Sequence, residues 1–224
     1  MKRLILTALG LASLFAMTFV IIKLTGVLTI EDIQNILQVA HQTNALYVAA
    51  IALALLLADL FIAVPTLTVA ILSGYFLGFP LGFATAAGGL LGAGTLGYVI
   101  TYVYGPGLLR RIHKDPVQQA EMESVFAQYG FVVLVICRAL PILPEVSCCL
   151  AGATRMAFRK FIFAFAMGTL PYAAIATFAG SQSSFENPKP AIFAAIGLSM
   201  FFAVAWALLR RHYKKHQRLI NAMD

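Results

Sequence analysis

Three ionisable side chains stand inside long apolar runs: Asp59, Arg138 and Glu145. A charge at bilayer depth is costly unless it is paired or solvated, so residues of this kind mark substrate and ion pathways, or the ion pairs that lock a fold. Asp59 precedes Pro65 by six residues, and Arg138 and Glu145 flank Pro141 and Pro144. Proline interrupts a helix and disfavours helical geometry in the residue before it, so each charged position lies beside an expected break in an apolar helix. The chemistry open to such a set is proton exchange on Asp59 and Glu145 and capture of an anion by Arg138. A guanidinium stays charged and grips a phosphate in bidentate fashion. If the three pair with one another instead, they hold the two breaks together and do no more.

Other chemistry is poorly supported. Ser147, Cys148 and Cys149 adjoin Glu145, yet no general base is placed near them, so no nucleophilic site and no enzymatic activity is expected. Cys137, Cys148 and Cys149 all belong to one apolar run, and neither their number nor their spacing suggests a disulfide framework or a zinc site. His41, His113, His212 and His216 are scattered over polar segments and assemble no metal cluster or triad. The run from Gly92 to Gly97 matches the dinucleotide pattern Gly-x-Gly-x-x-Gly, but no strand precedes it and its surroundings are those of a membrane helix. No metal and no cofactor is therefore expected.

The elements that must position the three charges are helices in a bilayer. Of the 224 residues, 61% are apolar and 11% charged, and the mean hydropathy is +0.87, beyond what a water-soluble globule tolerates. The apolar runs cover residues 4–22, 45–82, 83–104, 131–152, 161–180 and 191–209, far longer than the alternating segments of a transmembrane barrel. Lys2 and Arg3 before the first run resemble a signal-peptide start, but that run is long, meets Lys23 and lacks a convincing cleavage site, so an uncleaved span is expected. Residues 29–43 read as an interfacial helix capped at Thr29 with Ile30, Ile33, Leu37 and Ala40 on one face, and residues 116–129 read as a second.

The formal net charge of +7 is gathered at Arg110, Arg111 and Lys114, at Arg155, Arg159 and Lys160, and from Arg210 to Arg218. Flanking apolar runs as they do, these clusters set topology and meet lipid headgroups, and nucleic acid is not an expected partner. The basic segments 105–130 and 154–160 want the same, cytoplasmic side, so the run between them is expected to enter and leave by one face, turning at Pro141 and Pro144. By the same reasoning residues 45–82 form a hairpin from the opposite face, turning at Pro65. Each hairpin is followed by a full span, and residues 65–74 match 144–152, the pattern of an inverted repeat. Gly74, Gly78 and Gly82 recur every four residues and, with Gly152 and Gly168, are expected to let helix backbones approach closely.

Residues 74–82 (Gly-Tyr-Phe-Leu-Gly-Phe-Pro-Leu-Gly), Gly88, Gly89, Gly92 and Gly97, Tyr129-Gly130 and Arg138-x-x-Pro141-x-x-Pro144 together resemble the DedA superfamily. Ala151-Gly152-x-Thr154-Arg155-Met156, Phe158, Phe161 and Gly168-x-x-Pro171 extend the likeness, over roughly residues 60–181, to the branch named for the VTT or SNARE-associated Golgi domain. DedA proteins proper carry a second arginine where this chain has Pro144, which favours the VTT branch. The resemblance implies two opposed re-entrant hairpins and a role in lipid translocation, with envelope integrity and proton-dependent transport in bacterial members. The expected protein is therefore all-α and polytopic: an N-terminal span and interfacial helix in 1–44, a core in 45–181, and a C-terminal span with a basic tail in 182–224. It is expected in the cell (inner) membrane with both termini cytoplasmic, moving lipids or lipid-linked phosphates, with protons as coupling partner and a homo-oligomer compatible with the pattern. The alternative expectation is a non-transporting envelope scaffold.

Overall fold

The computed structural model describes residues 30–62, 64–112, 116–139 and 143–183, with isolated positions in the two flanking apolar runs. The expected terminal spans, the basic tail, the Thr29 cap and Pro141 lie outside the described residues. Those described form helices and no strand: α1 (Ile30–Thr43), α2 (Ala45–Ala58), α3 (Thr66–Ile112), α4 (Pro116–Ile136), a short 3-10 turn (Cys137–Ala139), α5 (Leu143–Ala153) and α6 (Phe158–Ser181).

The amphipathic stripe of α1 is visible in its burial. Ile33 and Leu37, one turn apart, are fully covered and join Val48, Ala52 and Leu56 of α2 in one apolar cluster, whereas Ile36 and Val39 are exposed. Asn44 separates the two helices, and its side-chain oxygen accepts the Leu46 N–H at 3.1 Å, an N-cap that starts α2 in a new direction. At the far end of α2 the Asp59 Oδ1 accepts the Val64 N–H at 2.9 Å, closing the turn that leads to Pro65. Pro65 then sits just ahead of α3, where its missing N–H costs nothing, and its carbonyl accepts the Val69 N–H at 3.1 Å.

A sharp break divides α3. Gly78 has φ 72° and ψ 171°, a region that is essentially glycine-only. The chain folds back there: a Cβ placed on Gly82 would lie 2.6 Å from the Ser73 carbonyl oxygen, although the two residues would be a dozen ångströms apart in a straight helix. Residues 66–77 are thus the return arm of a hairpin begun by α2, and residues 79–112 are a separate long helix. The expectation that Gly74, Gly78 and Gly82 share one helix face fails at Gly78, where a Cβ would meet nothing within 4 Å. Its role is conformational, and spacing by four does not reveal a break in the helix that the spacing assumes.

The second half is built in the same way. α4 continues to Ile136, so the segment expected as a separate interfacial helix and the first arm of the second hairpin are one helix, with Gly130 kept helical. After the 3-10 turn, Pro144 lies in the first turn of α5, so it opens the return arm and is not itself the bend. α5 returns to the end from which α4 set out, since a Cβ on Gly105 would lie 2.9 Å from the Ala153 Cβ. Arg155, at φ 52°, turns the chain into α6.

Helix contacts in the two halves recur at nearly the same offset. Gly89 receives the Leu56 side chain of α2, and Gly168 lies against the backbone of Val135 in α4; both members of this second pair lie 79 positions after the first. Gly74 abuts the Thr177 backbone and Gly152 abuts Tyr98 and Thr101; Tyr98 and Thr177 are again 79 apart, whereas Gly74 and Gly152 are 78 apart. Residues 79–112 and α6 lie antiparallel at the centre, as the ring contacts Phe79–Phe178 at 5.7 Å and Tyr98–Phe161 at 4.4 Å record. Thr66–Gly105 and Phe158–Ser181 are each long and apolar enough to cross a bilayer. Apart from Arg159 and Lys160 in the first turn of α6, most of their exposed side chains, among them Leu96, Val99, Val103, Phe163, Met167 and Phe178, are apolar.

Because Gly78 meets no neighbour, replacing it tests backbone geometry alone. Gly78→Ala should lower stability by about 1–3 kcal/mol. Gly88→Ala, also with open space but in regular helix, should be neutral or stabilising by up to about 1 kcal/mol. Thermal unfolding of both purified variants in detergent measures the contrast, and equal melting temperatures would exclude this account of the break.

Candidate functional site

The two hairpin tips meet midway along the central helices. A small cavity is lined by Asp59 and Leu60 from the first tip, by Arg138, Pro144, Glu145 and Cys148 from the second, and by Leu90, Ala93, Gly94 and Phe165 from the central pair. From Gly78 to Gly105 the long helix extends about 40 Å at 1.5 Å per residue, and Leu90, Ala93 and Gly94 fall near its middle. All three ionisable residues singled out in the sequence therefore share one small cavity beside the middle of the long helix. It has room for about one water molecule.

Asp59 and Arg138 are equivalent positions of the two halves, each six residues before the proline that opens a return arm. Their local settings differ. Asp59 is buried, and one of its carboxyl oxygens is engaged by the Val64 N–H. It has Glu145 and Arg138 as charged neighbours across the cavity. Arg138 makes no ion pair among the described residues. Its guanidinium carbon lies 5.6 Å from the centre of the Phe165 ring and 5.3 Å from that of Tyr172, both on α6, and its Nε is buried without an acceptor. Contact with two ring faces offsets part of the cost of placing a cation here, through the negative face of each π-system. Among the described residues no acceptor takes up the Nε–H of the fork. Neither simple expectation, an Arg138–Asp59 or an Arg138–Glu145 pair, describes this arrangement.

The remaining predicted residues are placed as follows. Gly74, Gly82, Gly152 and Gly168 are all points where an added Cβ would strike backbone, so each is a close helix approach. Pro144 lines the cavity and Pro65 ends the opposite turn. Ser147 is buried and its hydroxyl donates to the Pro144 carbonyl at 3.0 Å within its own helix. Among the described residues no group of three or more His, Cys, Asp or Glu side chains is placed to hold a metal ion.

Sequence reasoning missed Phe165, Tyr172 and Gly94. The two rings lie on one stripe of α6, seven residues apart, a signal that any core-facing helix would give. Gly94 supplies the space for Phe165, since a Cβ there would strike that ring.

The model of the VTT domain matches residues 64–182, just over half of the chain, from the turn after Asp59 to the end of α6. The chain belongs to the VTT-domain family. With its apolar central helices, this makes it a membrane protein of that family within the DedA superfamily. Among curated proteins it is similar to "Uncharacterized protein YqeD" of Bacillus subtilis (strain 168), 23% identical over 185 residues, which is 81% of this chain and 85% of the relative. No solved structure matches.

The Asp59 geometry separates its turn-closing role from its charge. Asp59→Asn keeps an oxygen that can accept the Val64 N–H, whereas Asp59→Ala strands that donor. Alanine should therefore cost about 1–3 kcal/mol of stability and asparagine distinctly less. Chemical denaturation in a fixed detergent compares them; equal losses would show that the 2.9 Å bond contributes nothing measurable.

Proposed function

We propose that this VTT-domain protein moves anionic lipids or lipid-linked phosphates between the two leaflets, with proton exchange on Asp59 and Glu145. The two hairpins enter the bilayer from opposite faces, as halves of an inverted repeat. The observation that carries this reading is the cavity in which the two hairpin tips bring one guanidinium and two carboxyls together beside the middle of the central helices. Binding sites at the interface of opposed repeats, built from interrupted helices, are the recurring design of secondary transporters.

The chemistry follows from charge and space. In the closed form the cavity is too small for a headgroup, so a substrate enters only when one hairpin tip withdraws from the central helices. Arg138, held between two rings and with its Nε–H unspent, then offers bidentate contacts to a phosphate. A proton taken up by the Asp59–Glu145 pair offsets the negative charge that the substrate brings, so uptake and release of a proton can accompany loading and unloading. Closing one tip and opening the other exposes the same site to the opposite leaflet. No covalent step is needed, and we read the protein as a transporter and not an enzyme. The cell membrane, with both termini and the basic segments on the cytoplasmic side, completes the proposal.

A second reading, a non-transporting envelope scaffold, is favoured by the Val64 N–H bond, which gives Asp59 a structural task. Reconstitution into liposomes with labelled lipids separates the two. For a transporter, leaflet exchange of an anionic lipid should vary with pH, and Asp59→Asn or Glu145→Gln should flatten that dependence while leaving the protein folded and inserted. Exchange no faster than in empty liposomes would leave the scaffold reading.

Topology has its own test. With Cys137, Cys148 and Cys149 replaced, single cysteines at Gln118 and Arg159, which precede and follow the second hairpin, should be labelled by an impermeant maleimide from the same, cytoplasmic side. Labelling from opposite sides would mean that the second hairpin crosses the membrane.

A further inference from the structure

Two buried side-chain polar atoms have no hydrogen-bond partner among the described residues: the Arg138 Nε and the Thr169 Oγ1. Thr169 departs from a habit that its neighbours keep. Ser73, Thr95, Thr101, Thr154 and Thr177 each turn the hydroxyl back to the carbonyl four residues earlier, at 2.7 Å in every case. That bond is the usual way for a helical hydroxyl to be satisfied in an apolar setting. Thr169 is fully buried in α6 yet does not make it. A buried hydroxyl without a partner costs about 1–3 kcal/mol, which calls for an explanation.

Its position supplies one. Phe165, Thr169 and Tyr172 follow each other at four and three residues, so they form one stripe of α6. Arg138 rests on the two outer members, its guanidinium carbon 5.6 Å and 5.3 Å from their rings. Thr169, the middle member, therefore belongs to the face of α6 that the guanidinium covers, next to the cavity that Arg138 and Phe165 line, which puts the two orphaned groups in one neighbourhood. One is a cationic donor. The other both donates and accepts, and is uncharged. Together they suit an oxygen of an anion, which accepts from each, and an apolar ligand would satisfy neither. The two rings wall the place off from hydrocarbon.

Resting on the transport reading above, we propose that Thr169 is a substrate-binding residue, its hydroxyl and the Arg138 guanidinium jointly gripping one phosphate group of the headgroup. Arg138 provides charge and Thr169 direction. The threonine hydroxyl is free of its helix so that it can be spent on the ligand.

Thr169→Val keeps the shape and removes the hydroxyl; Thr169→Ser keeps the hydroxyl. The probes are dodecyl phosphate, a single-chain lipid phosphate, and inorganic phosphate, titrated by calorimetry and by thermal shift on the full chain in a nonionic detergent. Wild-type protein should bind dodecyl phosphate, Thr169→Ser should bind nearly as well, and Thr169→Val should lose about tenfold in affinity, the worth of one hydrogen bond to a charged group. Without ligand, Thr169→Val should melt at or above the wild-type temperature, because an unsatisfied hydroxyl has been removed. A lower unliganded melting temperature would mean that the hydroxyl is held by protein or by a bound water, and would overturn the proposal. Equal affinity of Thr169→Val and wild type would overturn it too while leaving the transport reading intact. If wild type binds neither probe, the phosphate-transport reading itself fails, and this inference with it. Binding of inorganic phosphate as tightly as dodecyl phosphate would assign the same seat to free phosphate and not to a lipid.

Discussion

In hydrocarbon, apolar side chains gain nothing by leaving the solvent for one another, so helices hold together through close fit and the few polar contacts they share. Backbone contact at glycine is the constraint on which this structure depends. Gly74 against Thr177, Gly152 against Tyr98 and Gly168 against Val135 each bring main chain to main chain, and each ties a hairpin arm to a central helix. A methyl group at any of them would push an arm outward and carry a hairpin tip with it. The cavity between the hairpin tips thus owes its small size to residues that do not line it.

Hydrogen bonding follows the same economy. Hydroxyls return to their own helices, the Tyr98 hydroxyl donates to the Met156 carbonyl at the bend before α6, and the Asp59 carboxyl closes a turn. Apart from the Tyr98–Met156 bond, which joins positions 58 apart, this matching is local. Arg138 departs in another way, as a cation shielded by rings and not neutralised by a partner among the described residues. Such incompleteness is expected where a protein must accept a guest, because a site fully satisfied by its own groups has nothing left to offer.

Much of this was legible in the sequence, for a physical reason. Apolar runs, prolines and isolated charges are local signals, and in a bilayer they dictate helices, breaks and function-bearing positions directly. Asp59, Arg138 and Glu145 could be picked out because nothing else charged stands in their runs. Gly78 was misread because a periodic glycine pattern and a helix break use the same residue. Phe165, Tyr172 and Thr169 were invisible because rings and hydroxyls on a core-facing stripe look alike whether they pack against leucine or arginine. The continuity of α4 through Gly130 escaped notice because hydropathy changes there while the backbone does not.

The shortness of α2 bears on how the protein comes to be made. Its 14 residues extend about 21 Å, well short of a hydrocarbon layer about 30 Å thick. Emerging from the ribosome, this segment has no means of lodging across the membrane by itself, and the arm from Thr66 to the break at Gly78 is no longer. The side chains of Leu56 and Leu57 rest against Gly89 and Gly92 of the helix that follows, and the arm meets Thr177 of α6 through Gly74. On the re-entrant reading proposed above, the first hairpin settles only once the later helices it rests on have been made, so that maturation runs backwards along the chain, the later segments recruiting the earlier.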